Sequence, residues 1–258
     1  CSFRSQSSFK RGRLKPLLGR QKAQITPRHQ TRKLSVRDEW IRQGLIGADP
    51  IHLPYLSSRG VSEGCRVDFY SWHPHPNVQC PKFKANFGQS GERIKDSLII
   101  PITSPRGEII GMETRQIKED GTKKVHQYRT LNAQWNPYVL GAEDGFKALW
   151  DQGDLWVVEG IFDKVSLDKV IPRCDACVST LRAGMDANTM DMIERFYTPA
   201  STIYICYDND ETGQKKSFWL QREMKKRGMR SVVWKYRGKD PNDVWTQGGD
   251  QALRRMFL

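Results

Sequence analysis

The sequence predicts an α/β protein in two parts: a mixed α+β amino-terminal subdomain, then a parallel, right-handed α/β sheet. Three observations carry this reading. After about Asp154, short apolar runs alternate with helical patterns, the rhythm of strands joined by crossover helices. Before that point, Ser97 to Ile102 and Glu108 to Ile117 are strand-like and flank Ser104-Pro105-Arg106-Gly107, which is turn chemistry and makes a hairpin. Finally, residues 1 to 37 hold 11 Lys or Arg and no Asp or Glu. This reads as a basic flexible tail outside either part.

Taken in order, the tail runs over residues 1–37, the amino-terminal subdomain over 38–150 and the α/β sheet over 151–258. The formal charge is +13, from 42 basic and 29 acidic residues, so the 221 residues beyond the tail are nearly neutral. The tail suits an arm that rests on a polyanion. It is also Arg-rich and acid-free in the manner of a transit peptide, and the chain opens at Cys1 rather than Met, so an upstream segment is expected. From Asp38 the residues Trp40, Ile41, Leu45 and Ile46 have roughly helical spacing. A second short helix is expected to end in Ser58-Arg59-Gly60, with Gly60 as its left-handed terminator and Ser62 capping the next. Residues 71–93, rich in Pro, Gly and Asn, read as loop. Within the hairpin Glu113, Arg115 and Ile117 share one strand face, which places Arg115 on the side that carries charge.

In the second part, Leu155 to Val158, Ala176 to Ser179, Thr202 to Tyr207 and Ser231 to Tyr236 are the strand candidates, with a helix from Gln214 to Arg227 closed by Gly228. No stretch approaches the 18 apolar residues of a membrane span, and six cysteines in 258 residues do not make a disulfide scaffold. The absence of a Gly-x-x-x-x-Gly-Lys-Ser/Thr pattern excludes a P-loop motor within these residues.

Parallel strands end on one edge of their sheet, and ligands bind in the crevice there. Glu159, the pair Asp208 and Asp210, and the pair Asp240 and Asp243 each follow a different strand, so they should converge. Two carboxylates about 4 Å apart repel by roughly 4 kcal/mol at an effective dielectric near 20. Such a group calls for Mg²⁺ or Mn²⁺, hard cations that accept carboxylate oxygens and leave positions for phosphate. Asp163, one turn further on, either completes that shell or caps its helix. Each acidic cluster alone has an ordinary explanation as a turn or a helix start; three at equivalent strand ends do not.

The runs Val157-Val158-Glu159-Gly160-Ile161-Phe162-Asp163, Ile205-Cys206-Tyr207-Asp208-Asn209-Asp210-Glu211-Thr212-Gly213 and Gly238-Lys239-Asp240-Pro241-Asn242-Asp243 resemble the three signatures of a TOPRIM domain. Upstream, Tyr55-Leu56-Ser57-Ser58-Arg59-Gly60-Val61-Ser62, the hairpin from Ile100 to Gly111, Arg115 and Tyr138-Val139-Leu140-Gly141 are similar to the amino-terminal half of a DnaG-type primase core, of bacterial or phage type. The resemblance covers about residues 38–250. It implies synthesis of RNA primers from ribonucleoside triphosphates on a single-stranded DNA template, by nucleotidyl transfer with two or more Mg²⁺ or Mn²⁺ ions. It makes Glu159, Asp208 and Asp210 catalytic, and Glu159, Asp163, Asp208, Asp210, Asp240 and Asp243 the metal set. Arg59, Arg115, Tyr128, Arg129 and Lys239 would contact nucleic acid or nucleotide. A replicative helicase is the implied partner, no membrane is involved, and the implied setting is the cytoplasm of a bacterial or phage-infected cell, with an organelle left open.

Two departures stand out. Asn242 occupies a place where many members carry a second Asp, so either Asn242 is a neutral ligand or Asp243 substitutes. The basic element of the family appears as Gln127-Tyr128-Arg129-Thr130-Leu131-Asn132, without its lysine, whose work falls to Arg129 or Lys124. The remaining signals are weaker. Cys174 and Cys177 have redox or zinc spacing but border a buried strand, which favours a core or loop role. Cys65, His73, His75 and Cys80 are ligand types in a proline-stiffened loop. Zinc is expected only in an upstream ribbon, of which Cys1 could be the last ligand. Trp156 and Trp234 lie in strand patterns and read as core. Two rival functions remain at this point: a TOPRIM nuclease, and a non-catalytic DNA-binding half of a primase-helicase.

Overall fold

The computed structural model describes residues 45–47, 50–62, 65–72, 97–117, 123–129, 136–182 and 184–257. All of them belong to one compact unit spanning Ser35–Leu258. The basic segment 1–37 lies outside the described residues, as do His73, His75 and Cys80.

Five strands form an antiparallel sheet in sequential order: β1 (Leu45–Gly47), β2 (Tyr70–Trp72), β3 (Leu98–Thr103), β4 (Ile109–Ile117) and β5 (Lys123–Arg129). The expected hairpin is its centre, with Leu98 opposite Arg115 and Ile102 opposite Gly111. Its turn is tied by Ser104, whose hydroxyl accepts from the backbone N–H of Arg106 and Glu108. The helical spacing read at Leu45 and Ile46 is corrected: these residues pair with Trp72 and Ser71 as strand. Tyr70–Trp72 likewise departs from the loop reading of 71–93 at its first residues. A three-residue strand carries too little periodicity to announce itself; tertiary pairing decides it.

A short helix, α1 (Leu53–Ser58), ends as expected, with Gly60 in the left-handed region at φ +82° and its N–H on Ser57 O. No helix capped by Ser62 is present among the described residues.

The second sheet is parallel throughout, in the order β7 (Ala176–Ser179), β6 (Leu155–Val158), β8 (Ile203–Ile205), β9 (Ser231–Val233). Every residue of β6 and β7 is buried, as befits strands covered on both faces. Leu155 and Val157 turn toward a core made with α2 (Ala142–Trp150), α4 (Ala187–Phe196) and α5 (Glu211–Lys226). Trp156 and Val158 turn to the opposite face, against Leu167 of α3 (Ile161–Leu167) and Ile171. The helix preceding residue 151 therefore packs on the parallel sheet, and Leu140 extends it by an antiparallel bridge to Ser179.

All seven residues of α3 are buried. The reason is its position: Ile161, Phe162 and Val165 join Leu98, Ile100 and Ile102 of the antiparallel sheet, while Leu167 serves the parallel one. One helix thus belongs to both cores, and the turn leading into it carries Glu159. The last helix, α6 (Pro241–Arg254), packs against α3. No helix of the described residues is long and apolar enough to cross a membrane.

Candidate nucleotidyl-transfer site

The parallel sheet reverses its winding at β6: the chain passes first to β7 on one side, then to β8 on the other. Such a switch point leaves a crevice beyond the strands' carboxyl ends. A cavity of about 340 Å³ opens there, lined by Glu159 after β6, Asp208 after β8 and Asp240 at the start of α6. Asp163, Arg59, Arg115, Lys239 and Asn242 also line it. Of the eleven residues expected at the site, seven meet around this one space. The other four, Asp210, Asp243, Tyr128 and Arg129, are not among its lining residues.

Their positions explain why. Asp210 caps α5, its carboxylate accepting from Gly213 N–H at 2.7 Å, and Asp240 caps α6 in the same way through Asp243 N–H at 2.7 Å. Asp243, in the first turn of α6, accepts from Lys239 N–H and Gln247. The backbone of Tyr128 pairs with Met112 in β4, and the Arg129 guanidinium sits 4.0 Å above the Tyr138 ring. Lys124 is exposed on the same strand.

Asp163 faces inward and both of its oxygens accept backbone N–H groups, from Gly160 and from Asn242, each at 3.1 Å. It holds the Glu159 turn against the amino end of α6. Asn242 completes this clasp. Its amide accepts from Arg59 at 3.3 Å and donates to Arg59 O and to Ser166 Oγ, each at 3.0 Å. Both polar atoms of that side chain are engaged, which makes Asn242 a tie between α1, α3 and α6.

The loop after β8 is tight for a steric reason. A Cβ on Gly213 would come within 2.1 Å of Asp208 O, so no other residue fits that close approach. Asn209 then binds the two acidic loops together, its N–H donating to Lys239 O at 2.7 Å and its amide to Gly238 O at 3.2 Å.

The electrostatics match a cation site. Burial, then the charge of Asp208, pushes the Glu159 carboxyl up to about 7. Asp208 is raised by its own burial and by Asp240 and Asp210, with Lys239 opposing. Asp163 is raised by burial and by Asp240. One oxygen of Glu159, Oε1, is buried without a hydrogen-bond partner. Crowded carboxylates with an orphaned oxygen are groups that a divalent ion would relieve. Among the described residues no three His, Cys, Asp or Glu side chains are gathered closely enough to enclose an ion by themselves.

Around the acids stands a ring of cations. Arg115 is paired with Glu113 at 2.8 Å, with side chains 8% and 3% exposed, and its guanidinium lies 4.7 Å over the Phe162 ring. The charge-bearing face of β4 is therefore buried against α3 rather than open. Lys123 and Arg182 also line the cavity; sequence reasoning missed both. Arg182 follows β7, the second parallel strand of the chain, and the strand-end rule applied to the acids would have found it. Lys123 opens a strand that the preceding Asp120-Gly121 turn signal could have marked, though nothing local marks the lysine itself. The intervening Leu181 holds φ at +62°, a left-handed conformation that costs an L-residue about 1–2 kcal/mol.

The weaker signals resolve simply. Cys177 is buried, Cys174 exposed and Cys65 half-buried, all as free thiols. Trp156 is core, stacked on Tyr204 at 4.2 Å, and Trp234 packs on its edge just beyond β9.

Comparison with known proteins agrees with this architecture. The Toprim-like family matches residues 156–245. The DNA primase of Neisseria meningitidis is 25% identical over 66% of this chain and 31% of its own length. The chain spans about a third of the length of the curated relatives it matches. The Aquifex aeolicus primase structure, containing zinc-binding and RNA polymerase domains, superposes with a TM-score of 0.63 at 21% identity, covering 81% of this chain and 55% of that one. A DnaG primase catalytic domain bound to ssDNA superposes with a TM-score of 0.55 at 20% identity, covering 81% and 72%. A parallel sheet with acids at its switch point and an antiparallel sheet packed on it through one shared helix are what these likenesses have in common with this chain, which has the fold of the DnaG primase catalytic cores with a Toprim-like match within it.

Proposed function

We propose that this chain is the catalytic core of a DNA primase, joining ribonucleotides on single-stranded DNA by metal-dependent nucleotidyl transfer. The observation that carries the reading is the meeting of Glu159, Asp208 and Asp240, from three separate segments, with Arg59, Arg115, Lys123, Arg182 and Lys239 around one cavity at the sheet's switch point. Acids alone would repel a polyphosphate and cations alone would need no acids; the combination suits a nucleoside triphosphate together with its counter-ions. The solved relative bound to ssDNA supports the choice of template.

In this reading Glu159, Asp208 and Asp240 would hold divalent ions, with Asp210 beside Asp208. Asp163 and Asp243 would act by fixing the two turns rather than by ligation. When bound, the ions supply charge neutralisation at the phosphates and a lowered pKa for the attacking 3′-hydroxyl. The protein does the rest. Asp163 and Asn242 hold the Glu159 turn and α6 in register, Asn209 fixes the spacing of the two acidic loops, and Arg59 faces the cavity with its amide partner already in place. Such advance positioning is what converts binding into rate. Residues 38–150, which include the antiparallel sheet, would guide template, and residues 151–258 would carry out the transfer. A helicase would be a separate partner.

Incubation with single-stranded DNA, Mg²⁺ and ribonucleoside triphosphates tests this. Labelled short RNA is the expected product. Shortened DNA without consumption of triphosphates would overturn the reading in favour of a nuclease, and neither product in favour of a binding module.

A further inference from the structure

Arg182 differs from the two other arginines that line the cavity. Arg115 is committed to Glu113, and Arg59 to Asn242. Arg182 is exposed and lines the cavity, yet among the described residues its guanidinium has no ion-pair or hydrogen-bond partner. A planar fork of donors left unpaired beside acids that call for a metal is suited to bidentate capture of phosphate oxygens.

The loop that carries it is held with unusual care. Ser179 Oγ donates to Glu159 O at 2.8 Å and accepts from Leu181 N–H at 3.2 Å, so the loop is tied to the backbone of the central acid. Thr180 Oγ1 lies 3.2 Å from Val158 O and 2.6 Å from Arg182 O. Leu181 O, next to the left-handed Leu181 φ, accepts at 2.8 Å from the Gln127 amide, which also reaches Glu113 Oε2 at 3.2 Å. Strained backbone persists only where its surroundings over-determine it, and here the determining contact comes from the other sheet.

We propose that Arg182 grips the phosphates of the incoming nucleoside triphosphate and that Gln127 is the positioning residue which sets it there. The inference rests on the nucleotidyl-transfer reading of the cavity. Gln127 sits on β5, which pairs with β4 at Glu113. Glu113, whose ion pair locks Arg115, therefore also anchors the loop bearing the free guanidinium through Gln127, so the antiparallel sheet acts on the phosphate site by this contact as well as through Arg115 and Lys123, which line the cavity.

The test measures Mn·ATP and AMP binding to the full chain by calorimetry, beside primer synthesis. Arg182→Ala should weaken Mn·ATP binding roughly ten- to a hundredfold, the range of a lost charge-assisted contact, while leaving AMP binding within about twofold. Its loss in synthesis should fall on KM for the triphosphate more than on kcat, and Arg182→Lys should recover part of it. Gln127→Ala should weaken Mn·ATP binding by a few-fold, and should add nothing in the Arg182→Ala background; additive losses would show that Gln127 acts otherwise. Wild-type affinity in a folded Arg182→Ala variant overturns the proposal. If the wild type binds Mn·ATP through Arg182 but makes no RNA, the primase reading fails while this assignment stands. If it makes RNA and Arg182→Ala is indistinguishable from it, the assignment fails alone.

Discussion

The two sheets meet on α3 but place their charged residues differently. In the parallel sheet the strands carry no charged residue and chemistry sits just past their ends, at Glu159, Asp208 and Arg182. In the antiparallel sheet charge lies within the strands, and on β4 it is buried. Glu113 and Arg115 sit two residues apart on β4, pressed against Phe162. The contrast follows from covering. Strands covered on both faces have no room for charge except at their ends, whereas an antiparallel strand can spend one face on an ion pair, provided a partner seals it. The parallel sheet thus supplies acids that repel one another. The antiparallel sheet supplies a pair already neutralised, whose task is to hold.

This difference sets what mutations should do. The largest effect is expected at a strand end: Asp208→Asn should lower primer synthesis by more than about a hundredfold, the range that even outer-shell partners of a metal reach. It should at the same time leave the melting temperature of the metal-free protein unchanged or raised, since it removes a repelling charge. A lowered melting temperature would place Asp208 among the holding residues instead. Next come the two buried ion pairs. Arg115→Ala strands Glu113, and Lys164→Ala strands Asp168, which it meets at 2.7 Å with side chains 1% and 5% exposed. Each should cost about 3–5 kcal/mol in denaturant unfolding. A loss below about 1 kcal/mol at Arg115 would mean that its pair is dispensable and that its role lies with nucleotide. Asn242→Ala, which breaks the clasp between α1, α3 and α6, should cost about 2 kcal/mol.

The smallest effect is one of pH. The Glu159 carboxyl is raised from 4.5 to about 7, so between those values the folded state keeps a proton that the unfolded chain has released. Its penalty is absent below about 4.5 and complete above about 7. The melting temperature of the metal-free wild type, relative to Glu159→Gln, should therefore fall as pH rises through that window. Mg²⁺ affinity should rise over the same interval because ion and proton compete. A difference that stays flat with pH would show that Glu159 is not crowded.

The same contrast decides what the sequence shows. β6 and β7 coincide with their sequence ranges, and β8 and β9 lie inside theirs, because short apolar runs closed by acidic turns are local signals. The convergence of Glu159, Asp208 and Asp240 follows from topology alone, so it too was legible. What was hidden depends on contacts distant in sequence. β1 and β2 are three residues each and exist through pairing, whereas β5 follows Asp120-Gly121, turn chemistry that was there to be read. The clasp of Asn242 on Arg59 joins residues 183 positions apart, and Gln127 reaches Leu181 across 54. A residue type can mark a ligand, but only the fold shows whether its atoms are already engaged, as those of Asp163 and Asn242 are.

The central claim is that carboxylates from separate strand ends surround a place for a divalent cation. Anomalous diffraction from crystals soaked in Mn²⁺ tests it most directly. One or more manganese peaks in the cavity between Glu159, Asp208 and Asp240, lost in Asp208→Asn, are the predicted result; a cavity without manganese, or peaks only at distant surface acids, would contradict it.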